Sequence, residues 1–262
     1  MEELKLLSRF KIDREKCLAL KKIHDEEDRK RWEDADAARK AKTIVIGICG
    51  KPGAGKDTLG LYLKNNFGFD IFALKNPIEE VVQAVFNVDD LHLYDREFRE
   101  QPLPSWPGWT VRKMLQAVGQ SMRDIAGGDV WAKSLCQRID DCYVILSAIT
   151  DVRTPEDVKY IREHVESQGG RFILIMVKRP GFGATTSGGF KNHKLESYDL
   201  ESECDAVFEN NGTKDELFEQ AKEYFTFPEL YNLGFDAAST LKEIDIGTIR
   251  GINNILEKEP ES

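Results

Sequence analysis

One stretch constrains this chain more than any other: residues 43–58, reading TIVIGICGKPGAGKDT. An apolar run, Ile44-Val45-Ile46-Gly47-Ile48, leads into Gly50-Lys51-Pro52-Gly53-Ala54-Gly55-Lys56-Asp57-Thr58. The run is short and β-branched, as a parallel strand buried on both faces should be. The glycines permit a tight loop whose backbone N–H groups turn inward, and a helix is expected from about Lys56. Such a loop holds phosphate oxygens through several N–H donors and the positive end of the helix dipole. Lys56 adds a positive charge for the β- and γ-phosphates, and Thr58 offers a hydroxyl toward phosphate or Mg²⁺. The general pattern places Ser or Thr directly after the lysine; here Asp57 intervenes. A nucleoside triphosphate is the ligand this stretch predicts.

The rest of the chain supplies a sheet around that loop. Strands are expected at 69–74, 142–149, 172–177 and 206–209, separated by helical patterns, which implies a parallel sheet covered on both faces. Pro77 fits the first turn of a helix reaching Phe86. Residues 87–109, with Pro102, Pro104, Pro107 and Gly108, read as a long irregular segment of the functional kind. Thr110 is a candidate N-cap for a helix with Val111, Met114, Leu115, Val118, Met122 and Ile125 on one stripe. Arg112, Lys113, Gln116, Gln120 and Arg123 fall on its other side; Arg112 and Gln116 lie one turn apart and can reach one ligand together. The run at 142–149 ends in Thr150-Asp151-Val152-Arg153. Ligands of open α/β sheets bind outside the carboxyl ends of the strands, so Asp151 and Arg153 stand where chemistry is expected. Thr154-Pro155-Glu156-Asp157 opens a further helix, with Asp157 suited either to capping at N3 or to a catalytic role. Residues 182–192 read as a loop rich in Gly, Ser and Thr, followed by His193 and Glu196.

Outside this core, residues 1–42 are dense in alternating charge and read as a helical extension, with a partner-binding arm as the alternative. Residues 226–262 read as an appended tail. The net charge of −9 argues against nucleic acid or an anionic membrane as the main partner. The five cysteines show no C-x-x-C pair. With no signal-peptide pattern and no membrane-length apolar run, they point to reduced thiols and a cytoplasmic setting. No Asn-Lys-x-Asp turn of the kind that reads guanine is present, and the length is short for an ATP-driven motor. A small-molecule kinase needs a second anionic site facing the loop, for which Arg112, Lys113, Arg123, Arg153 and Arg179 are candidates.

Several motifs occur together and in order. They are GKPGAGKDT, Phe72-Ala73-Leu74-Lys75-Asn76-Pro77, the run from Trp109 to Gly119, Val130-Trp131-Ala132-Lys133, Asp151-Val152-Arg153, Lys178-Arg179-Pro180-Gly181, His193-x-x-Glu196 and Asn210-Asn211-Gly212-Thr213. Over residues 43–225 the chain resembles the deoxynucleoside monophosphate kinases of tailed bacteriophages, where Asp also follows the loop lysine. The resemblance implies a P-loop NTPase fold of nucleoside monophosphate kinase type: three layers, α/β/α, around a five-stranded parallel sheet. It implies an acceptor-binding insertion at 87–140 and a lid-like loop at 180–200. It implies transfer of the γ-phosphoryl group of ATP, with Mg²⁺, to a deoxynucleoside 5′-monophosphate. By resemblance, residues 50–58 (Gly50, Lys51, Pro52, Gly53, Ala54, Gly55, Lys56, Asp57, Thr58), Arg179, Asn211 and Gly212 serve ATP, with Asp57 and Thr58 toward the metal. Arg112, Lys113, Gln116, Trp131 and Asp157 serve the acceptor, with Trp131 against its base. Lys56, Asp57, Asp151 and Arg153 stand between donor and acceptor. Homodimers are common in the family. The alternatives are a kinase of another phosphate acceptor, such as dephospho-coenzyme A, and a non-catalytic ATP-binding regulator.

Overall fold

The computed structural model describes residues 26–181 and 198–226. Residues 1–25 and 227–262, His193, Glu196 and most of the expected lid-like loop therefore lie outside the described residues. Helix α1 (Glu26–Lys40) precedes strand β1 (Ile44–Cys49), the phosphate loop and α2 (Lys56–Phe67). Strand β2 (Asp70–Phe72) and α3 (Lys75–Phe86) follow. Two short helices, α4 (Asp90–Tyr94) and α5 (Arg96–Arg99), lead to a hairpin of β3 (Pro102–Leu103) and β4 (Trp106–Thr110). Then come α6 (Val111–Ala126), α7 (Val130–Asp141), β5 (Leu146–Ile149), α8 (Pro155–Ser167), β6 (Arg171–Lys178), β7 (Ala206–Glu209) and α9 (Lys214–Thr226).

The main sheet has the order β2-β5-β1-β6-β7, and every pairing in it is parallel. All six residues of β1 are buried, because helices cover both faces. Alternation divides its side chains: Ile44, Ile46 and Ile48 pack with Leu59, Leu63, Leu217 and Ala221 of α2 and α9. Val45 and Cys49 face the other way, toward Leu135, Val158 and Ile161 of α7 and α8. This is the expected α/β/α sandwich with five parallel strands. Parallel alignment brings the carboxyl ends of β1, β5, β6 and β7 to one edge, where the loops carrying the candidate site lie.

Local chemistry accounts for the element ends. The Thr110 side chain accepts from the N–H of Lys113 at the start of α6, and the Thr154 side chain accepts from the N–H of Asp157 at the start of α8. Replacing Thr154 by Ala is expected to cost about 1 kcal/mol, read as a lower denaturant midpoint. At the end of α2, Gly68 lies in the left-handed region and its N–H satisfies the carbonyls of Leu63 and Lys64.

Three expectations are corrected. Residues 87–109 are not irregular: they fold over a small core of Val82, Val88, Leu93, Leu103, Val111 and Met114. The strand expected from residue 142 starts only at Leu146, because Cys142 closes α7 and Tyr143 turns the chain at φ 55°. The apolar stripe of α6 is buried at its beginning, at Val111 and Met114, while Met122 is 37% and Ile125 80% exposed.

Candidate active site

The phosphate loop is built from positions only glycine tolerates. Gly50 has φ +129°, and a Cβ there would lie 2.3 Å from the carbonyl oxygen of Val177. Gly55 has φ +110°, and its Cβ would lie 2.6 Å from Asn210 Nδ2. Replacing Gly50 by Ala is expected to lower thermal stability by at least ~1–3 kcal/mol from backbone strain and to abolish ATP binding measured by calorimetry. An unchanged melting temperature together with normal ATP affinity would show that the loop has another shape.

Helix α2 begins at Gly55 with no side-chain cap. Its first N–H groups have no intrahelical acceptor and point, with the dipole, into the bend of the loop. These donors fit a phosphate group. Lys56 Nζ donates to the carbonyls of Gly50 at 2.8 Å and Lys51 at 2.9 Å. Burial, then the positive charge of Arg153, hold this lysine below the ordinary value, while Asp57 and Asp151 act the other way. A partly desolvated cation beside a second cation gains when an anion enters between them.

The end of β5 forms the opposite wall. The N–H of Val152 donates to the carbonyl of Ile48 at 3.3 Å, which holds the Thr150–Arg153 turn against the start of the phosphate loop. Asp151 is buried. Its carboxylate accepts from the backbone N–H groups of Leu74 at 2.5 Å and Lys75 at 3.1 Å. The acid is thereby fixed at the amino end of α3, where the helix dipole favours its charge. Arg153 is exposed. From β6, Arg179 reaches the carbonyl of Gly53 at 3.5 Å. Asp57, Asn211 and Gly212 are exposed and Thr58 is partly buried. Among the described residues no cluster of three or more His, Cys, Asp or Glu could hold a metal ion.

Residues expected around the acceptor divide. Arg112 is exposed and forms an ion pair with Glu100 of the insertion, Lys113 donates to the carbonyl of Gly108 at 3.0 Å, and Gln116 is partly buried. Trp131 is a correction: it is 4% exposed, packs within the core on the α7 face of the sheet and donates its indole N–H to the carbonyl of Gly119 at 2.9 Å. It joins α6 to α7 and offers no open face to a base. Asp157 is corrected likewise. It is fully buried, and both its oxygens accept from Arg123 Nη2 at 3.0 Å. Arg123 also donates to the carbonyl of Gly128. The pair ties α6 to α8.

Two residues at or near this edge have contacts that the sequence did not indicate: Asn210, named only as part of a turn motif, and Glu79, not singled out at all. Asn210 Nδ2 donates to the carbonyl of Ala54 at 2.7 Å, and its N–H donates to the carbonyl of Lys178 at 2.7 Å. It thus braces the phosphate loop from the end of β7. Glu79 is 2% exposed and pairs with Lys75 at 3.3 Å and Arg99 at 3.1 Å. The Lys75/Glu79 spacing of four is the one sequence signal for it; the partner in α5 has none.

No protein-family model matches the chain. A protein of Acanthamoeba polyphaga mimivirus named "Putative deoxynucleotide monophosphate kinase" is 29% identical over 195 residues, covering 68% of this chain and 93% of that protein. Among solved structures, a mutant APS kinase of Mycobacterium tuberculosis is 14% identical, over 69% of this chain and 95% of that one, at a TM-score of 0.32. A sugar kinase from Janibacter sp. HTCC2649 is 15% identical, over 68% and 91%, at a TM-score of 0.33. A further APS kinase structure, in complex with AMPPNP and APS, is 10% identical over 69% and 96%, at 0.31. Scores this low bear on neither substrate nor mechanism.

Proposed function

We propose that the chain is a kinase of small phosphorylated acceptors and, within that class, a deoxynucleoside monophosphate kinase that uses ATP. The observation that carries this reading is the glycine loop at the start of α2, with Lys56 tethered to the carbonyls of Gly50 and Lys51 and the Thr150–Arg153 turn held against the end of β1 by the Val152 N–H on the carbonyl of Ile48. Phosphoryl transfer needs little covalent help from protein. It needs the donor and acceptor phosphates aligned and their charge neutralised. The loop N–H groups and Lys56 hold the donor chain, and Arg153 faces it from the acceptor side. Asp151 sits beside them as a fixed negative charge. Bound Mg²⁺ would neutralise phosphate oxygens, with Thr58 and Asp57 as the protein groups toward it. The printed name of the mimivirus relative supports deoxynucleotides over other acceptors.

The same reading makes the protein a small-molecule enzyme of the cytoplasm, with residues 43–225 as its catalytic unit. The charge of −9 supports small substrates over nucleic acid, and among the described residues no helix is long and apolar enough to cross a membrane. The test is a screen of the purified full chain with ATP and Mg²⁺ against each dNMP, each NMP and dephospho-coenzyme A. Equal amounts of ADP and a dNDP are expected, and EDTA should abolish both. Absence of turnover with every dNMP sinks the proposal. Arg153→Ala is expected to cut kcat by about 10²–10³-fold, the scale for losing one preorganised charge partner, with an unchanged circular dichroism spectrum. An unfolded variant would instead make Arg153 a structural residue.

A further inference from the structure

Cys49 and Cys204 are 155 positions apart, yet their sulfurs lie 3.5 Å from each other. Cys49 ends β1 and directly precedes Gly50; it is 1% exposed. Cys204 follows the short turn at Glu201–Glu203 and is partly exposed. The thiol of Cys204 donates to the carbonyl of Leu200 at 3.1 Å, which leaves Cys49 as the donor in the sulfur–sulfur contact. The chemistry of the two thiols is therefore unequal. The hydrogen bond from Cys49 holds the Cys204 thiol below its ordinary value, although burial and the carboxylates of Asp205, Glu201 and Glu203 oppose this. The same bond and burial push the Cys49 thiol up, although the charge of Lys56 opposes this. A partly exposed thiol backed by a fully buried second thiol 3.5 Å away has the form of a sensor and its resolving partner.

We propose that Cys49 and Cys204 are a modification site: they close to a disulfide by exchange with a small-molecule disulfide such as oxidised glutathione, and closure weakens ATP binding. The Cys204 thiolate attacks one sulfur of the small disulfide, forming a mixed disulfide and releasing one small thiolate. Cys49 gives up its proton to solvent and attacks the Cys204 sulfur, expelling the second small thiolate. Two protein thiols are oxidised and one small disulfide is reduced to two thiols, so electrons and protons balance. A protein disulfide measures about 2.05 Å, so the sulfurs must approach by more than an ångström. That movement is delivered to the residue before Gly50, whose Cα has no space toward Val177, and to the segment that leads into β7 and Asn210. Both ends of the linkage thus pull on the frame of the phosphate loop. In a reducing compartment such disulfides are transient and sensing rather than structural.

The link itself does not depend on phosphoryl transfer; only its effect on ATP rests on the phosphate loop as read above. The purified full chain is incubated with oxidised glutathione, then analysed by intact mass and by peptide mapping under alkylation. The expected product has lost two hydrogens, carries a Cys49–Cys204 linked peptide and reverts with dithiothreitol. Cys204→Ser removes the link; Cys49→Ala leaves a stable glutathione adduct on Cys204 because no thiol resolves it. ATP Kd by calorimetry is expected to rise about tenfold in the linked form, a change of about 1.4 kcal/mol, and to recover on reduction. No link, a link through Cys136 or Cys142, or a lasting adduct on wild-type Cys204 overturns the site. A linked protein with unchanged ATP Kd overturns the coupling. ATP binding absent even from the reduced protein refutes the coupling and the loop together, while the mass result decides the link.

Discussion

Replacing Lys56 by Ala is expected to lower kcat by about 10³-fold or more, the scale on which a charge partner of the transferred phosphoryl group acts. The ammonium is tethered to the carbonyls of Gly50 and Lys51, so its reach into the loop is set before ATP arrives. In the transition state negative charge spreads over the oxygens of the transferred group, and a preplaced cation in a partly desolvated site stabilises it without reorganisation. The fold is expected to survive. Lys56 is held below its ordinary value chiefly by burial and then by Arg153, so its charge is a burden on the folded state. The sign is that of a depressed lysine: the penalty is full at neutral pH and disappears as pH rises through the lysine range. The alanine variant should therefore melt no lower than wild type at pH 7. Lys56→Arg should not restore turnover, because the guanidinium fork does not fit the point-charge position. Turnover of Lys56→Ala within tenfold of wild type, in the dNMP assay, would remove the lysine from the proposed mechanism.

The parts of the site that could be read in advance are those fixed by short-range chemistry. Gly50 and Gly55 had to be glycine because the backbone turns through positive φ there. Thr110 and Thr154 announced their helices because each caps an N–H three residues on. The central strands β1 and β6 declared themselves by unbroken apolar runs, and the parallel alignment followed from the helices between strands. What stayed hidden depends on partners far along the chain. Arg112 and Arg123 look alike on one helix, yet one meets Glu100 at the surface and the other meets a buried Asp157 from α8. Resemblance implies a ligand-stacking role for Trp131, and only the carbonyl of Gly119 on a neighbouring helix shows where its N–H goes. Asn210 stood in a turn expected near the donor. Its grip on Ala54 spans 156 positions, and no periodicity encodes that distance. The Cys142 run misled for a different reason. Apolar residues can end a helix as well as begin a strand, and Tyr143 supplies the turn without glycine.

Replacing Arg123 by Ala is expected to destabilise the folded chain by about 3–5 kcal/mol at neutral pH, the cost of stranding a buried charge. Asp157 is fully buried and Arg123 is 9% exposed, so water cannot take over the lost partner. For a domain of this size the melting temperature should drop by on the order of 10 °C. The pH dependence gives the cause. Burial already raises the Asp157 carboxyl above the ordinary value, and the Arg123 charge is the largest influence holding it down. Without Arg123 the folded state retains a proton that the unfolded chain releases. A carboxyl raised in this way favours the folded state below its unfolded value and ceases to as pH rises through the folded one. The deficit against wild type should therefore be small near pH 4 and full at pH 7. Adding Asp157→Asn to Arg123→Ala removes the stranded charge and should return part of the loss at pH 7 while changing little at pH 4. An Arg123→Ala deficit that is flat across that range, measured by denaturant unfolding at each pH, would mean that packing of the α6–α8 junction, not the buried charge, is what the arginine maintains.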